Sequence, residues 1–247
     1  MGSSGEQAHV QTLWVGESLS RLERLSLSSF VSTGHIVDLY AYDEVQNIPD
    51  GVRLLDGGDI MAREHLLGLG PRADGTGSWA MAADVFRYRL LLERGGWWID
   101  TDVVALCRFN DAREYFFAYQ DEALINVAVL KMPAGCQLAR LLCETSELLG
   151  PGVQWAETGP NLLTTLVRLM ELTDLAVDPE TVYPIHWSET GDLVAPDPGG
   201  TLWRRLEGAC AIHLWNEMWR RYGLDKDATY SPTSVYERLR RQYDCAP

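Results

Sequence analysis

The chain has 247 residues, of which 46% are hydrophobic and 23% charged, and its formal net charge is −14. That composition builds a packed core and excludes a disordered chain. The acidic balance excludes a general nucleic-acid binder, which needs a basic footprint, and argues against electrostatic docking on anionic lipid. No apolar run approaches the roughly 18 residues needed to span a bilayer, and no apolar stretch follows Met1–Gly5 as a signal peptide requires. The five cysteines, Cys107, Cys136, Cys143, Cys210 and Cys245, include no Cys-x-x-Cys pair. Reduced thiols and a cytoplasmic setting are therefore expected, with neither a disulfide framework nor a zinc site. Two lysines, Lys131 and Lys226, stand against nineteen arginines, which removes most Lys-based mechanisms.

In chain order, His9–Val15 reads as a strand stopped by Gly16. Ser18 is placed to cap a helix through about Val31, with Leu19, Leu22, Leu25 and Phe30 on its apolar stripe. His35–Tyr42 alternates as a strand, and Val52–Leu55 is a short third one. Residues 63 to 77, rich in Gly, Arg and Pro, read as a surface loop. Ser78–Arg94 is a helix ended by Gly95-Gly96. Trp97-Trp98-Ile99 is a short buried strand, which Val103–Leu106 continues. Beyond it the pattern predicts a strand over Leu124–Leu130 and helices over Gln137–Leu149 and Asn161–Leu172. An edge strand over Val182–Ile185, a loop over Glu189–Gly200, a strand over Ala211–Trp215 and a tail helix over Ser234–Tyr243 complete the reading. The β-α-β-β opening and the later alternation predict one α/β domain with a mostly parallel central sheet flanked by helices, residues 1–9 being disordered.

The chemistry concentrates in Asp84-x-x-Arg87 on the helix, then Gly95-Gly96, then Asp100-Thr101-Asp102 after the strand. Carboxylates at i and i+2 on a strand end project to one side. Hard oxygen ligands there, beyond the carboxyl ends of parallel strands, suit Mg²⁺ or Mn²⁺ bridging to a diphosphate. Such a cation supplies positive charge that an acidic protein otherwise lacks. A solvated turn is the bland alternative for a bare Asp-x-Asp. The apolar strand before it, the close backbone approach that Gly-Gly permits and the upstream Asp84 and Arg87 weigh against that alternative.

The run Ala83-Asp84-Val85-Phe86-Arg87 through Gly95-Gly96-Trp97-Trp98-Ile99-Asp100-Thr101-Asp102 resembles the signature of the DxD-motif sugar transferases of the family 32 type. These are the capsular-polysaccharide, mannosyl- and α1,4-galactosyltransferase-like enzymes, with the glucosylating clostridial toxins as distant relatives. Leu13-Trp14-Val15-Gly16, Thr158-Gly159-Pro160, Tyr183-Pro184 and His213-x-Trp215 resemble further landmarks, so the resemblance covers most of the chain. It implies a GT-A fold over residues 1–247 and metal-dependent transfer of a hexosyl group, with retention, from a nucleotide sugar. A UDP-sugar is favoured as donor, and a small-molecule or saccharide acceptor over a protein.

Residue by residue, the resemblance implies that Trp14 stacks on the nucleotide base, with plain core packing as the alternative. Asp84 and Arg87 would hold donor-sugar hydroxyls, against a helix-face ion pair. Asp100 would contact ribose and metal, and Asp102 would bind the metal directly. His213 would be a third metal ligand or a diphosphate contact, against a structural histidine. Trp215 and Trp219 would close over the diphosphate, against core packing at i,i+4. The family often carries Tyr two residues before the first Asp. Trp98 stands here instead, leaving an indole N–H in place of a hydroxyl. Asp121-Glu122 marks a neighbourhood for a nucleophile, although front-face attack without one is favoured by the family.

Two other classes compete. Trp98–Val104 also satisfies the first motif of a haloacid-dehalogenase-type phosphatase, with Asp100 as nucleophile, Asp102 as general acid and Gly191-Asp192 with Asp197 as a loose acidic motif. A non-catalytic sugar-nucleotide-binding protein would keep the same donor site.

Overall fold

The computed structural model describes residues 8–71, 78–110, 112–152, 154 and 156–243. A five-stranded sheet has the order β3-β2-β1-β4-β6, with β1 His9–Leu13, β2 Ile36–Ala41, β3 Val52–Asp56, β4 Gly96–Ile99 and β6 Val129–Met132. The first four run parallel and β6 pairs antiparallel with β4. The expected mostly parallel α/β domain is therefore present. His9 opens β1, so ordered structure begins inside the stretch expected to be disordered; residues 1–7 lie outside the described ones.

Strand alternation sends Trp98, Leu13 and Tyr40 to one face and Trp97, Ile99, Val10 and Val37 to the other. The second face packs on α1 (Arg21–Ser32) through Leu27 and Phe30. Ser20, not Ser18, caps that helix, in a capping box with Glu23; Ser18 instead bridges to Gln46. The first face packs on α3 (Ala80–Glu93), which buries Val85, Phe86, Leu90 and Leu91 completely. Each such side chain contributes roughly 1.5–3 kcal/mol. Around α3 lie α2 (Arg63–Leu69), α4 (Gln137–Leu149) and α5 (Leu162–Leu169).

Several elements differ from the sequence reading. Residues 63–69 form α2 rather than loop, because Leu66 and Leu69 find the α3 core; residues 72–77 of that loop lie outside the described residues. Of the expected 124–130 strand only Val129 and Leu130 pair into the sheet, where β6 runs on to Met132. The preceding stretch makes only an isolated bridge between Ile125 and Tyr119, and side chains add to it, with Thr164 Oγ1 accepting from Ile125 N and Asn126 Oδ1 from Ala128 N. Residues 182–185 form no strand, although all four are buried. Their apolarity serves core packing, and Tyr183 spends its hydroxyl on Val129 N. Trp187–Leu193 is a 3₁₀ segment inside the expected loop. Two short helices, α6 (Thr201–Arg204) and α7 (Asn216–Tyr222), escape the periodicity reading. The tail helix is α8 (Val235–Tyr243).

Val103–Ala105 is a strand, but it does not continue β4. As β5 it leaves the main sheet after a turn and pairs antiparallel with β7 (Ala211–His213). That ribbon brings the C-terminal third of the chain to the end of β4.

Candidate functional site

Asp100-Thr101-Asp102 lies on the turn between the two sheets rather than on a strand. Asp100 N still donates to Ala128 O, and Val103 N closes the turn on Asp100 O at 3.1 Å. The turn geometry, not strand pleating, therefore sets the two carboxylates together. In the ribbon Val103 pairs with His213, and Leu214 N donates to Asp102 O. Trp215 then takes a left-handed conformation (φ 59°), which turns Asn216 N onto Asp102 Oδ2 at 2.7 Å. His213 Nε2 lies 3.0 Å from the same oxygen.

Ligand atoms of Asp100, Asp102 and His213 all lie within 4.8 Å of one another. Each carboxylate divides its two oxygens in the same manner. Asp100 Oδ1 accepts from Arg87 Nη2 and Trp98 Nε1, at 2.6 and 2.7 Å. Asp102 Oδ2 accepts from His213 and Asn216. Among the described residues, nothing donates to Asp100 Oδ2 or Asp102 Oδ1, and the buried His213 Nδ1 has no partner. Two open carboxylate oxygens beside an imidazole form a donor set that fits a divalent cation, and the nitrogen suits Mn²⁺ better than Mg²⁺. Burial opposes the charge of Asp102, but His213 and the Asn216 N–H hold its carboxyl below the usual range.

Arg87 is 3% exposed and bridges two carboxylates, with Nη1 on Asp84 Oδ1 and Nη2 on Asp100 Oδ1, both at 2.6 Å. Its guanidinium carbon lies 4.9 Å from the Trp98 ring centroid. The Trp98 indole N–H thus donates to Asp100 itself. The helix-face ion pair and the cavity position of Asp84 and Arg87 hold together. Burial pushes the Asp84 carboxyl up to about 6, against the opposing pull of Arg87 and Thr158.

The segment Thr158-Gly159-Pro160 docks on that carboxylate. Thr158 Oγ1 donates to Asp84 Oδ2 at 2.8 Å, and Tyr88 Oη donates to Thr158 O. A Cβ on Gly159 would stand 3.2 Å from Asp84 Oδ2, so a larger residue would crowd the contact. The Gly95-Gly96 break has a different role from the one its sequence suggests. It begins β4, at the end opposite Asp100. The close neighbour of Gly95 is the backbone of Ala134, with a built Cβ 2.4 Å from Ala134 N.

Asp84, Arg87, Trp98, Asp100, Asp102 and His213 line one cavity of about 820 Å³. Trp14, just past the end of β1, lines it and is half-buried rather than plain core; its Nε1 has no partner. Trp215 also lines it, but its ring packs 4.0 Å from His213 and its Nε1 donates to Ile185 O. Trp219 is wholly buried, donates to Leu214 O and does not reach the cavity, so its expected closing role is withdrawn. Asp121 lines the cavity, but its Oδ1 accepts from Ala123 N and Leu124 N, holding it as a turn cap. Asp192 and Asp197 lie outside the cavity, and Asp197 caps α6 instead. The acidic motif that a phosphatase needs is therefore not assembled around Asp100.

Sequence reasoning missed Arg220, Arg221 and Lys226, which line the cavity with the carboxylates. Adjacent arginines shortly after His213-x-Trp215 were the available signal. Lys226 Nζ lies 2.6 Å from the buried Glu23 carboxylate of α1, so one of the two lysines reaches the cavity already paired.

Residues 151–246 match the family described as "Alpha 1,4-glycosyltransferase conserved region". This segment is thus similar to that family's conserved region. The match bears out the resemblance read from the sequence, and it falls on Thr158-Gly159-Pro160, Tyr183-Pro184 and His213-x-Trp215 rather than on the Asp84–Asp102 block. Solved structures similar to the chain include a PaToxG glycosyltransferase (12% identity, 96% of this chain and 84% of that one, TM-score 0.49). An active-site mutant of LgtC is similar at 9% identity over 97% of both chains, with a TM-score of 0.47. The glycosyltransferase GlyE of Streptococcus pneumoniae TIGR4 is similar at 12% identity over 96% of this chain and 63% of that one, with a TM-score of 0.43. No curated protein matches the chain in sequence. Among the described residues, no helix is long and apolar enough to cross a membrane.

Proposed function

We propose that the protein is a metal-dependent, retaining glycosyltransferase with a GT-A-type domain over residues 1–247. It moves a hexosyl group from a nucleotide-diphosphate sugar, with UDP-sugars favoured, to a small-molecule or saccharide acceptor. The observation that carries this reading is the pair of open oxygens on Asp100 and Asp102 beside His213, at the mouth of a parallel sheet. The segment similar to the alpha 1,4-glycosyltransferase conserved region supplies His213.

Asp100, Asp102 and His213 would hold Mn²⁺ or Mg²⁺, which when bound neutralises charge on the leaving diphosphate. Arg220 and Arg221, both paired with Glu217, and Lys226, paired with Glu23, also line the cavity, where a diphosphate would compete with those carboxylates for their charge. Trp14 offers an aromatic face to the base. Asp84 and Arg87 offer a carboxylate and a guanidinium edge to donor-sugar hydroxyls, and Arg87 also fixes the Asp100 rotamer. In front-face attack the acceptor oxygen bonds to the anomeric carbon as the bond to the leaving phosphate oxygen breaks. That oxygen takes the acceptor proton, so the protein needs no nucleophile and Asp121 can serve as a turn cap.

The test is a thermal-shift screen of nucleotide sugars with Mn²⁺ or Mg²⁺, followed by an assay for released nucleoside diphosphate. Cation-dependent release from a UDP-sugar without hydrolysis of phosphate esters is expected. Phosphate-ester hydrolysis, or donor binding without turnover across an acceptor panel, would overturn it.

A further inference from the structure

The cavity changes character along its length. Residues 80, 83, 84 and 87 follow helical spacing, so one face of α3 forms a wall of it. From Arg87 back to Ala80 that wall runs about 10 Å and passes from charged to apolar. Trp79, Leu124, Pro160 and Trp187 also line the cavity. A cavity of about 820 Å³ is near the upper size for one small ligand, so it has room for a second substrate.

Trp187 is the exposed tryptophan among the described residues, with 39% of its surface open. It is held firmly nonetheless. His186 opens the 3₁₀ segment with a capping box to Glu189, and its ring centroid lies 4.9 Å from that of Trp187. Thr190 Oγ1 donates to Trp187 O, and Arg205 grips Glu189 through both carboxylate oxygens. An open indole carried on a firmly held backbone segment in a cavity is a prepared binding face.

Polar groups line the same cavity in a fixed chain, and His186, next to Trp187 in sequence, acts on the Asp121 carboxylate. Asn126 Nδ2 donates to Gln120 Oε1 at 2.7 Å, and Gln120 Nε2 donates to Asp121 Oδ2 at 3.1 Å. Backbone N–H groups of Ala123 and Leu124 outweigh burial and hold the Asp121 carboxyl below its usual range, so it stays an acceptor. An electron-rich ring face beside a carboxylate and carboxamides suits a saccharide, which presents C–H groups on one face and hydroxyls at its edge.

The geometry points to the part of the cavity lined by Trp187, Gln120 and Asp121 as the acceptor subsite. It takes a glycoside whose sugar ring stacks on Trp187 and whose hydroxyls meet Gln120 and Asp121. The assignment rests on the transferase reading above and adds the class of acceptor and the residue that selects it.

The test is a transfer assay with the turned-over donor, Mn²⁺ and three probe sets: p-nitrophenyl glycosides, the matching methyl glycosides, and sugar-free aryl alcohols. Both glycoside sets should be glycosylated and the aryl alcohols should not. For the best glycoside, Trp187→Ala should raise the acceptor KM tenfold or more with kcat within about threefold. Trp187→Phe should recover most of the loss. Aryl alcohols accepted as well as glycosides, no glycoside accepted, or an unchanged acceptor KM in Trp187→Ala would each overturn the subsite. Nucleoside diphosphate release to water separates the two ideas: if it persists while every glycoside fails, only the acceptor assignment falls.

Discussion

His213 Nε2 stands 3.0 Å from Asp102 Oδ2 across 111 residues of sequence. The contact exists because β5 and β7 pair Val103 with His213, one residue beyond Asp102. Asp102 is thereby oriented by two bonds to one oxygen and keeps the other open.

Asp102→Asn should therefore keep the fold and lose the metal-dependent reaction. The asparagine Oδ1 can still accept from Asn216 N, while a neutral amide is a poor ligand for a hard cation. Cation-dependent release of nucleoside diphosphate should fall at least about a hundredfold, which exceeds the usual effect of losing an outer-shell partner. Near-normal turnover with an unchanged circular dichroism spectrum would remove Asp102 from the site.

Arg87→Met should be costly for stability as well as activity. The substitution leaves Asp84, at 7% exposure, without its charged partner and removes a fixed donor from Asp100. Breaking a buried pair in this manner costs about 3–5 kcal/mol. Urea unfolding should show it as a lower midpoint with an unchanged slope; a loss within about 1 kcal/mol would contradict the bridging role.

Asp84 gives stability a pH dependence of a definite sign. Its carboxyl titrates near 3.8 when unfolded and about 6 when folded. Between those values the folded protein holds a proton that the unfolded chain has lost. Stability contributed by this residue is thus full below about pH 4, falls as pH rises to about 6, and is then flat. The span is about 3 kcal/mol. Asp84→Asn should remove that component, so its stability relative to the parent protein should improve as pH rises from 4 to 7 in EDTA. A difference that stays constant across this range would refute the buried, proton-retaining carboxyl.

Gly95→Ala tests the backbone approach. Gly95 has φ 63°, and its added Cβ would meet backbone rather than a yielding side chain. A loss of about 2 kcal/mol or more is expected, combining left-handed strain with the clash. Donor affinity should be little changed, because this glycine sits at the opposite end of β4 from Asp100. A melting temperature equal to that of the parent would show that the Ala134 segment moves aside.

The parallel sheet and the α3 helix were legible in the sequence, and so was the grouping of Asp84, Arg87, Asp100 and Asp102 as a candidate site. These depend on local period and short spacing, which a linear reading preserves. It could also mark Trp14, His213 and Trp215, but only by resemblance. What the tertiary structure decided is how these groups meet. The β5–β7 ribbon carries His213 to Asp102, Thr158 and Gly159 close on Asp84, and Trp98 and Arg87 share one oxygen of Asp100. Trp215 and Trp219 show the limit most clearly: four residues apart and alike in type, one lines the cavity and the other is core. Side-chain destination there is set by a left-handed turn at Trp215 and by α7 packing, and neither leaves a periodic trace in the sequence.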